Sequence, residues 1–109
     1  MCGIVGLWHL DGQPIESVQI NLFTDSLLHR GPDGKGVFLD SDFQLGLGHR
    51  RLSILDLDKR SNQPMICANA RYHLVFNGEI YNFLEVKKEL EGLGYHFKTK
   101  SDTEVLLNS

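Results

Sequence analysis

A chain of 109 residues with 41% hydrophobic and 23% charged side chains is long enough for one hydrophobic core and has an ordinary globular composition, which argues against disorder. Its net charge of -3 lacks the broad basic face that nucleic-acid binding requires; the only dense basic run is His49-Arg50-Arg51. No stretch approaches the roughly 20 apolar residues of a membrane span and no basic leader precedes an apolar one, so a cytoplasmic location with no membrane and no nucleic-acid partner is expected.

Met1-Cys2-Gly3-Ile4-Val5-Gly6 opens the chain. Removal of Met1 leaves Cys2 with both a thiol and a free α-amine, a group whose reference pKa of about 7.7 to 8.0 keeps much of it unprotonated near neutrality. A nucleophile so placed carries its own general base. The alternative is a buried thiol serving as a small hydrophobe. Residues 2–10 are apolar and β-branched and stop at Asp11-Gly12, which predicts a buried strand with the thiol at its start. Over 16–28, Ile20, Phe23 and Leu27 recur at spacings of three and four, which predicts an amphipathic helix packed on the sheet.

His29-Arg30-Gly31-Pro32-Asp33-Gly34 is a loop, because Pro32 forbids helix continuation; Arg30 and Asp33 are placed to buttress a pocket by hydrogen bonds. A hairpin follows, with one strand over 37–39, a turn at Asp40-Ser41-Asp42, and a second strand in which Phe43, Leu45 and Leu47 alternate with Gln44, Gly46 and Gly48. Residues 56–64 read as a surface loop and 72–76 as a strand ending at Asn77-Gly78. On its own, Asn-Gly is most simply a hairpin turn. Phe83, Val86, Leu90 and Leu93 then share one helical face that ends near Gly92 and Gly94. Tyr95, Phe97 and Thr99 alternate as in a strand, and Ser101-Asp102-Thr103-Glu104 fits a capping box opening another helix. A cap followed by so few residues predicts a chain truncated relative to a complete domain.

Two cysteines, Cys2 and Cys67, are too few for a secreted disulfide scaffold and read as reduced thiols. The five histidines show no paired ligand spacing, so no metal site is expected and no histidine is assigned a catalytic role. Strands alternating with few helices suggest antiparallel sheets with helices outside them.

Taken together, Cys2-Gly3-Ile4-Val5-Gly6, His29-Arg30-Gly31-Pro32-Asp33-Gly34, Arg51-Leu52-Ser53-Ile54, Asn77-Gly78-Glu79-Ile80-Tyr81-Asn82 and Ser101-Asp102-Thr103-Glu104 resemble the glutaminase domain of glutamine-hydrolysing asparagine synthetases. That domain is a class II glutamine amidotransferase of the N-terminal nucleophile hydrolase type. The resemblance implies an α+β fold, an αββα sandwich whose C-terminal part is missing, with 1–109 forming the N-terminal portion of a glutamine amidotransferase type 2 domain and no synthetase domain present. It implies that Cys2 attacks the side-chain amide of glutamine to give a thioester, and that Asn77 and the Gly78 N–H stabilise the oxyanion.

By the same resemblance Arg51 holds the substrate carboxylate through its planar fork, and Asp102, with Glu79 as second candidate, binds the substrate ammonium. Asp102 equally suits the first turn of a helix, where an acidic group favours the macrodipole. Ile54 and Leu55 supply apolar wall and main-chain contacts; without the resemblance they read as core. Arg50, pointing to the other face of its strand, is expected to be a solvated surface charge. The implied partners are glutamine and a C-terminal synthetase domain in a longer parent, possible assembly as a homodimer being left open. No cofactor is expected in this chain, ATP and Mg belonging to the synthetase domain. Alternatives are a glutaminase serving an enzyme that amidates another carboxylate, a noncatalytic glutamine-binding or interaction fragment, and a cysteine hydrolase with a separate histidine base.

Overall fold

The computed structural model describes residues 1–40, 42–53 and 57–109. Its centre is strand β3 (Leu45–Arg51), which pairs antiparallel with β1 (Gly3–Trp8) on one side and β2 (Gly34–Leu39) on the other. In that register Val5 lies opposite Gly48 and Leu7 opposite Gly46, while Ile4 lies opposite His49. Opposed residues of an antiparallel pair share a face, so the glycines mark one face and His49 and Arg51 the other.

Helix α1 (Ser17–Ser26) packs on the glycine face. A Cβ on Gly48 would stand 2.1 Å from the Thr24 hydroxyl, so only glycine lets the helix come this close. The predicted apolar stripe is therefore altered. Ile20 is fully buried and Leu27 half-buried, but Phe23 is 47% exposed and Thr24 occupies the inward position. The narrow gap admits a small side chain, and the Thr24 hydroxyl satisfies itself on the Ile20 carbonyl at 2.7 Å.

Arg50 is a correction to the sequence reading. It reaches over the same face to Asp25, Nη2 to Oδ1 at 2.8 Å, with its side chain only 12% exposed. The carboxylate at the end of α1, also bound to Lys35 at 2.9 Å, makes a half-buried position tenable for a guanidinium. The Lys35 hydrogen bond, then the charges of Lys35 and Arg50, hold the Asp25 carboxyl below its ordinary value.

The strand predicted from Phe43 begins only at Leu45, because Phe43 takes a φ of 56° and its N–H turns back to the Asp40 carbonyl at 3.0 Å. Conversely, β2 starts three positions before the predicted 37, at Gly34. Glycine there reads as loop but serves close approach, since a Cβ on Gly36 would fall 1.8 Å from the Gln63 carbonyl oxygen.

The second face of the sheet meets a smaller layer. A single 3-10 turn over Lys59–Ser61 leads to β4 (Met65–Ile66), which pairs antiparallel with β5 (His73–Leu74). Phe38 stacks on His73 across the two layers with ring centroids 3.9 Å apart. Helix α2 (Phe83–Gly92) turns Leu90 inward, whereas Leu93, beyond its end, is exposed. Helix α3 (Asp102–Asn108) contacts β4 and α2, and buries Val105.

Two expectations fail at this end. The alternating segment from 95 to 99 is no strand. The N–H groups of Lys98 and Thr99, which a strand would give to a neighbour, go to the Glu104 carboxylate at 2.8 and 2.7 Å. For the same reason the capping box is only half formed: Ser101 accepts from the Thr103 N–H at 3.1 Å, but Glu104 is committed to the preceding turn. The chain is a mixed α/β fold, and among the described residues no helix is long and apolar enough to cross a membrane.

Candidate active site

Cys2 sits immediately before β1, and the sheet register brings it beside the end of β3. Its sulfur accepts from the Leu52 N–H at 3.2 Å and lies 3.7 Å from the Leu52 carbonyl. Arg30 Nε donates to the Cys2 carbonyl at 3.2 Å. Asp33 donates its N–H to the Arg51 carbonyl at 2.9 Å and accepts from the Ser53 N–H at 2.8 Å. The Arg-Gly-Pro-Asp loop thus fastens the nucleophile candidate to residues 51–53 by charge-assisted bonds, the buttressing geometry that its residue types suggest.

Cys2, Arg51, Asn77, Gly78, Glu79 and Asp102 all line one cavity of about 370 Å³, a volume within the range of small-ligand sites. Arg51 enters from β3, on the face away from Arg50, and is buried; its Nη1 donates to the Asp58 carbonyl at 2.8 Å and to Asn62 Oδ1 at 3.1 Å. These two acceptors set the plane of the guanidinium. Asp102, also buried, reaches from the start of α3 and accepts from the Ile80 N–H at 2.9 Å. Glu79 is exposed at the rim. Of the two acidic candidates, Asp102 is therefore the one with a fixed carboxylate. Ile54 and Leu55, the predicted wall residues, lie outside the described residues.

The cavity also contains residues that the sequence did not single out. Gln63 and Thr103 are buried in its wall, where Gln63 Oε1 accepts from the Phe76 N–H at 2.5 Å and Gln63 Nε2 donates to the Thr103 hydroxyl at 3.2 Å. Polar residues this deeply buried require partners, and these two supply each other. Met1 lies against the same cavity.

His49 is another unforeseen wall residue, 1% exposed in the middle of β3. Burial holds its imidazole below the ordinary value of 6.5, the Arg51 charge adds to this, and the Phe76 main chain opposes it. The sign of the linked stability follows: the unfolded chain binds the proton more readily, so stability present above about pH 6.5 is lost as the pH falls. His49→Gln should flatten the decline of unfolding temperature between about pH 7 and pH 5.5. Scanning calorimetry of both proteins across that window checks it, and parallel declines would refute it.

Both cysteines are free thiols, and Cys67 is half-buried, with its sulfur donating to Asn69 Oδ1 at 3.0 Å. Among the described residues no three His, Cys, Asp or Glu side chains are grouped to hold a metal ion.

Comparison with known proteins shows the family of the chain. A family model described as a glutamine amidotransferase domain matches residues 1–109. Asparagine synthetase (glutamine-hydrolyzing) 1 of Bacillus subtilis is 44% identical over 98% of this chain, which spans 17% of that relative's length. A putative asparagine synthetase (glutamine-hydrolyzing) 2 of Methanocaldococcus jannaschii is 37% identical over 98% of the chain and 23% of its own length. The Gibberella zeae protein named amidase chry2 is 37% identical over 87% of the chain and 14% of its own length. The chain therefore corresponds to less than a quarter of each of these relatives, and, matched along its whole length, it belongs to the glutamine amidotransferase domain family.

Proposed function

We propose that this chain hydrolyses the side-chain amide of glutamine at Cys2 and releases ammonia for a second reaction carried out elsewhere in a longer protein. The observation that carries the reading is convergence: Cys2, Arg51, Asn77-Gly78 and Asp102, far apart in sequence, meet on one cavity. A nucleophile, oxyanion donors, a cation for a carboxylate and an anion for an ammonium together match the free amino acid glutamine at both of its ends.

In this reading, Met1 is removed and the α-amine of Cys2 takes the thiol proton as sulfur attacks the amide carbon. Asn77 and the Gly78 N–H receive the oxyanion of the tetrahedral species. Its collapse breaks the carbon–nitrogen bond, the amine returns the proton to the departing nitrogen, and ammonia leaves a thioester. Water then adds to the thioester, releasing glutamate and restoring the thiol. Arg51 holds the α-carboxylate and Asp102 the α-ammonium throughout, so the amide is presented to the sulfur in one orientation.

The αββα sandwich of N-terminal nucleophile hydrolases is the architecture that fits best. Support comes from α1 outside one sheet, the second sheet facing the other side, and α3 packed against β4 of that second sheet. Ile4 and Trp8, 48% and 69% exposed on the sheet face away from α1, are apolar surface suited to further chain of the parent. The names of the asparagine synthetase relatives make asparagine synthesis the favoured use of the ammonia; aspartate, ATP and Mg would then be bound by the synthetase domain of the longer protein. The residues described here present no acidic cluster for that metal, and no step above involves it.

The deciding experiment is the intact mass of the purified protein before and after treatment with a diazo-ketone analogue of glutamine, followed by peptide mapping. Loss of Met1 and a single adduct on Cys2, blocked by excess glutamine, is the expected result. Processed protein that binds glutamine but takes no label would establish the noncatalytic binding reading instead.

A further inference from the structure

The turn carrying the oxyanion donors is poorly packed for the task assigned to it. Asn77 is only half-buried, while Gly78 and Glu79 are exposed. A turn of this kind is held by few apolar contacts and would sample several conformations, yet oxyanion donors are effective only when fixed in place beforehand. What fixes it is a pair of side-chain acceptors, one at each end. The N–H of Phe76, the residue before Asn77, goes to Gln63 Oε1 at 2.5 Å. The N–H of Ile80, the residue after Glu79, goes to Asp102 Oδ2 at 2.9 Å.

Gln63 is itself held rigidly. It is 7% exposed, and Gly36 of β2 leaves room for its main-chain carbonyl. Because Phe76 offers a donor, the amide oxygen must face it, and the amide nitrogen is left to donate to the Thr103 hydroxyl at 3.2 Å. Thr103 directly follows Asp102 in the first turn of α3, where its own N–H is held by the Ser101 hydroxyl at 3.1 Å. Both fastenings of the turn therefore end on adjacent residues of α3.

We propose that Gln63 is a positioning residue for the oxyanion donors, and that the Gln63–Thr103 hydrogen bond ties the Asn77-Gly78 turn to the Asp102 site that receives the substrate ammonium. Gln63 acts through Phe76 and makes no contact with the reacting atoms. The proposal rests on the glutaminase reading above. Its consequence is a division of labour: Gln63 governs the rate of the chemical step and leaves ground-state binding to Arg51 and Asp102.

The test is made on the protein in its natural full-length form. Gln63→Met keeps the length of the side chain and removes both hydrogen bonds. We expect kcat for glutamine hydrolysis to fall about tenfold to a hundredfold, the cost of a misplaced catalytic group, with KM within about threefold. Glutamate γ-semialdehyde adds to the Cys2 thiol to form a hemithioacetal whose oxygen occupies the oxyanion position. Its affinity should fall by the same factor as kcat, while that of glutamate is unchanged. Thr103→Val, nearly the same shape, removes only the anchor of Gln63 and should cost about threefold to tenfold in kcat. The double variant should be no slower than Gln63→Met alone, because the two act in one chain of contacts.

Unchanged kcat, or a rise in KM at constant kcat, would overturn the positioning role. So would equal losses of aldehyde and glutamate affinity together with a lowered unfolding temperature, which is the mark of general damage. Should Gln63→Met fail to fold, Thr103→Val decides alone, since a rate and an aldehyde affinity equal to those of the unmutated protein would refute the linkage. Failure of the unmutated protein to hydrolyse glutamine or bind the aldehyde overturns the glutaminase reading itself, and is seen before any variant is made.

Discussion

Cys2→Ala should abolish glutamine hydrolysis while glutamine still binds. The expected fall in kcat is about 10⁴-fold or more, the scale reached when a covalent nucleophile is removed and only binding and oxyanion stabilisation remain. The change is conservative for the fold. It removes one sulfur, adds no bulk, and gives up the contacts with Leu52 at 3.2 and 3.7 Å, together worth about 1 kcal/mol. Unfolding temperature should therefore fall by only a few degrees. Arg51 and Asp102, buried and held by Asp58, Asn62 and Ile80, keep their geometry, so glutamine affinity measured by calorimetry should stay within about threefold. Glutamate release above a hundredth of the unmutated rate would disprove the assignment. Such a result would equally remove the cysteine hydrolase with a separate histidine base, which needs the same sulfur; the histidine in the cavity wall, His49, is in any case 1% exposed and its burial disfavours the protonated form. A residue so placed is suited to packing rather than to proton shuttling.

The residues with chemical roles in this reading were legible because each stands in a run of unusual local character. A thiol behind Met1, an arginine after a strand, an Asn-Gly turn followed by helical spacing and an acidic residue after a cap are all visible one segment at a time. Their meeting at one cavity is tertiary, and the spacing of Cys2 from Asn77 says nothing of it; only the motif set as a whole pointed there. Gln63, Thr103 and His49 were invisible for the converse reason. Each is an ordinary polar residue in its own segment and becomes significant only by being buried against another. The errors in the fold have the same origin. Residues 95–99 alternate as a strand does, but Glu104 takes the N–H groups of Lys98 and Thr99, so a side chain from the following helix overrides the local pattern. Gly34 and Gly36 read as loop because their value lies in what approaches them. Arg50 read as a surface charge because its partner, Asp25, lies on another element.

Asn77→Ala should lower kcat by about 10²- to 10³-fold with KM nearly unchanged, the usual cost of one oxyanion donor. The argument is one of timing. On the proposed glutaminase reading, the amide NH2 of Asn77 would face a neutral carbonyl in the bound substrate and a charged oxygen in the tetrahedral species, so its contribution would grow as the reaction proceeds and appear in the rate rather than in binding. Asn77→Asp should be worse than alanine, since it places a carboxylate where negative charge develops. The control is Asp102→Asn, which should raise KM by weakening ammonium binding while its remaining side-chain oxygen can still accept from Ile80. A rise in KM for Asn77→Ala at constant kcat would reassign that residue to ground-state binding and remove it from the oxyanion site. The same numbers bound the role of Gln63. Acting only through this turn, Gln63 cannot be worth more than the donors it positions, so once Asn77 is alanine the further change Gln63→Met can affect only what the Gly78 N–H still contributes. A double variant markedly slower than the Asn77→Ala loss combined with that remaining donor would mean that Gln63 acts on the reaction by another route.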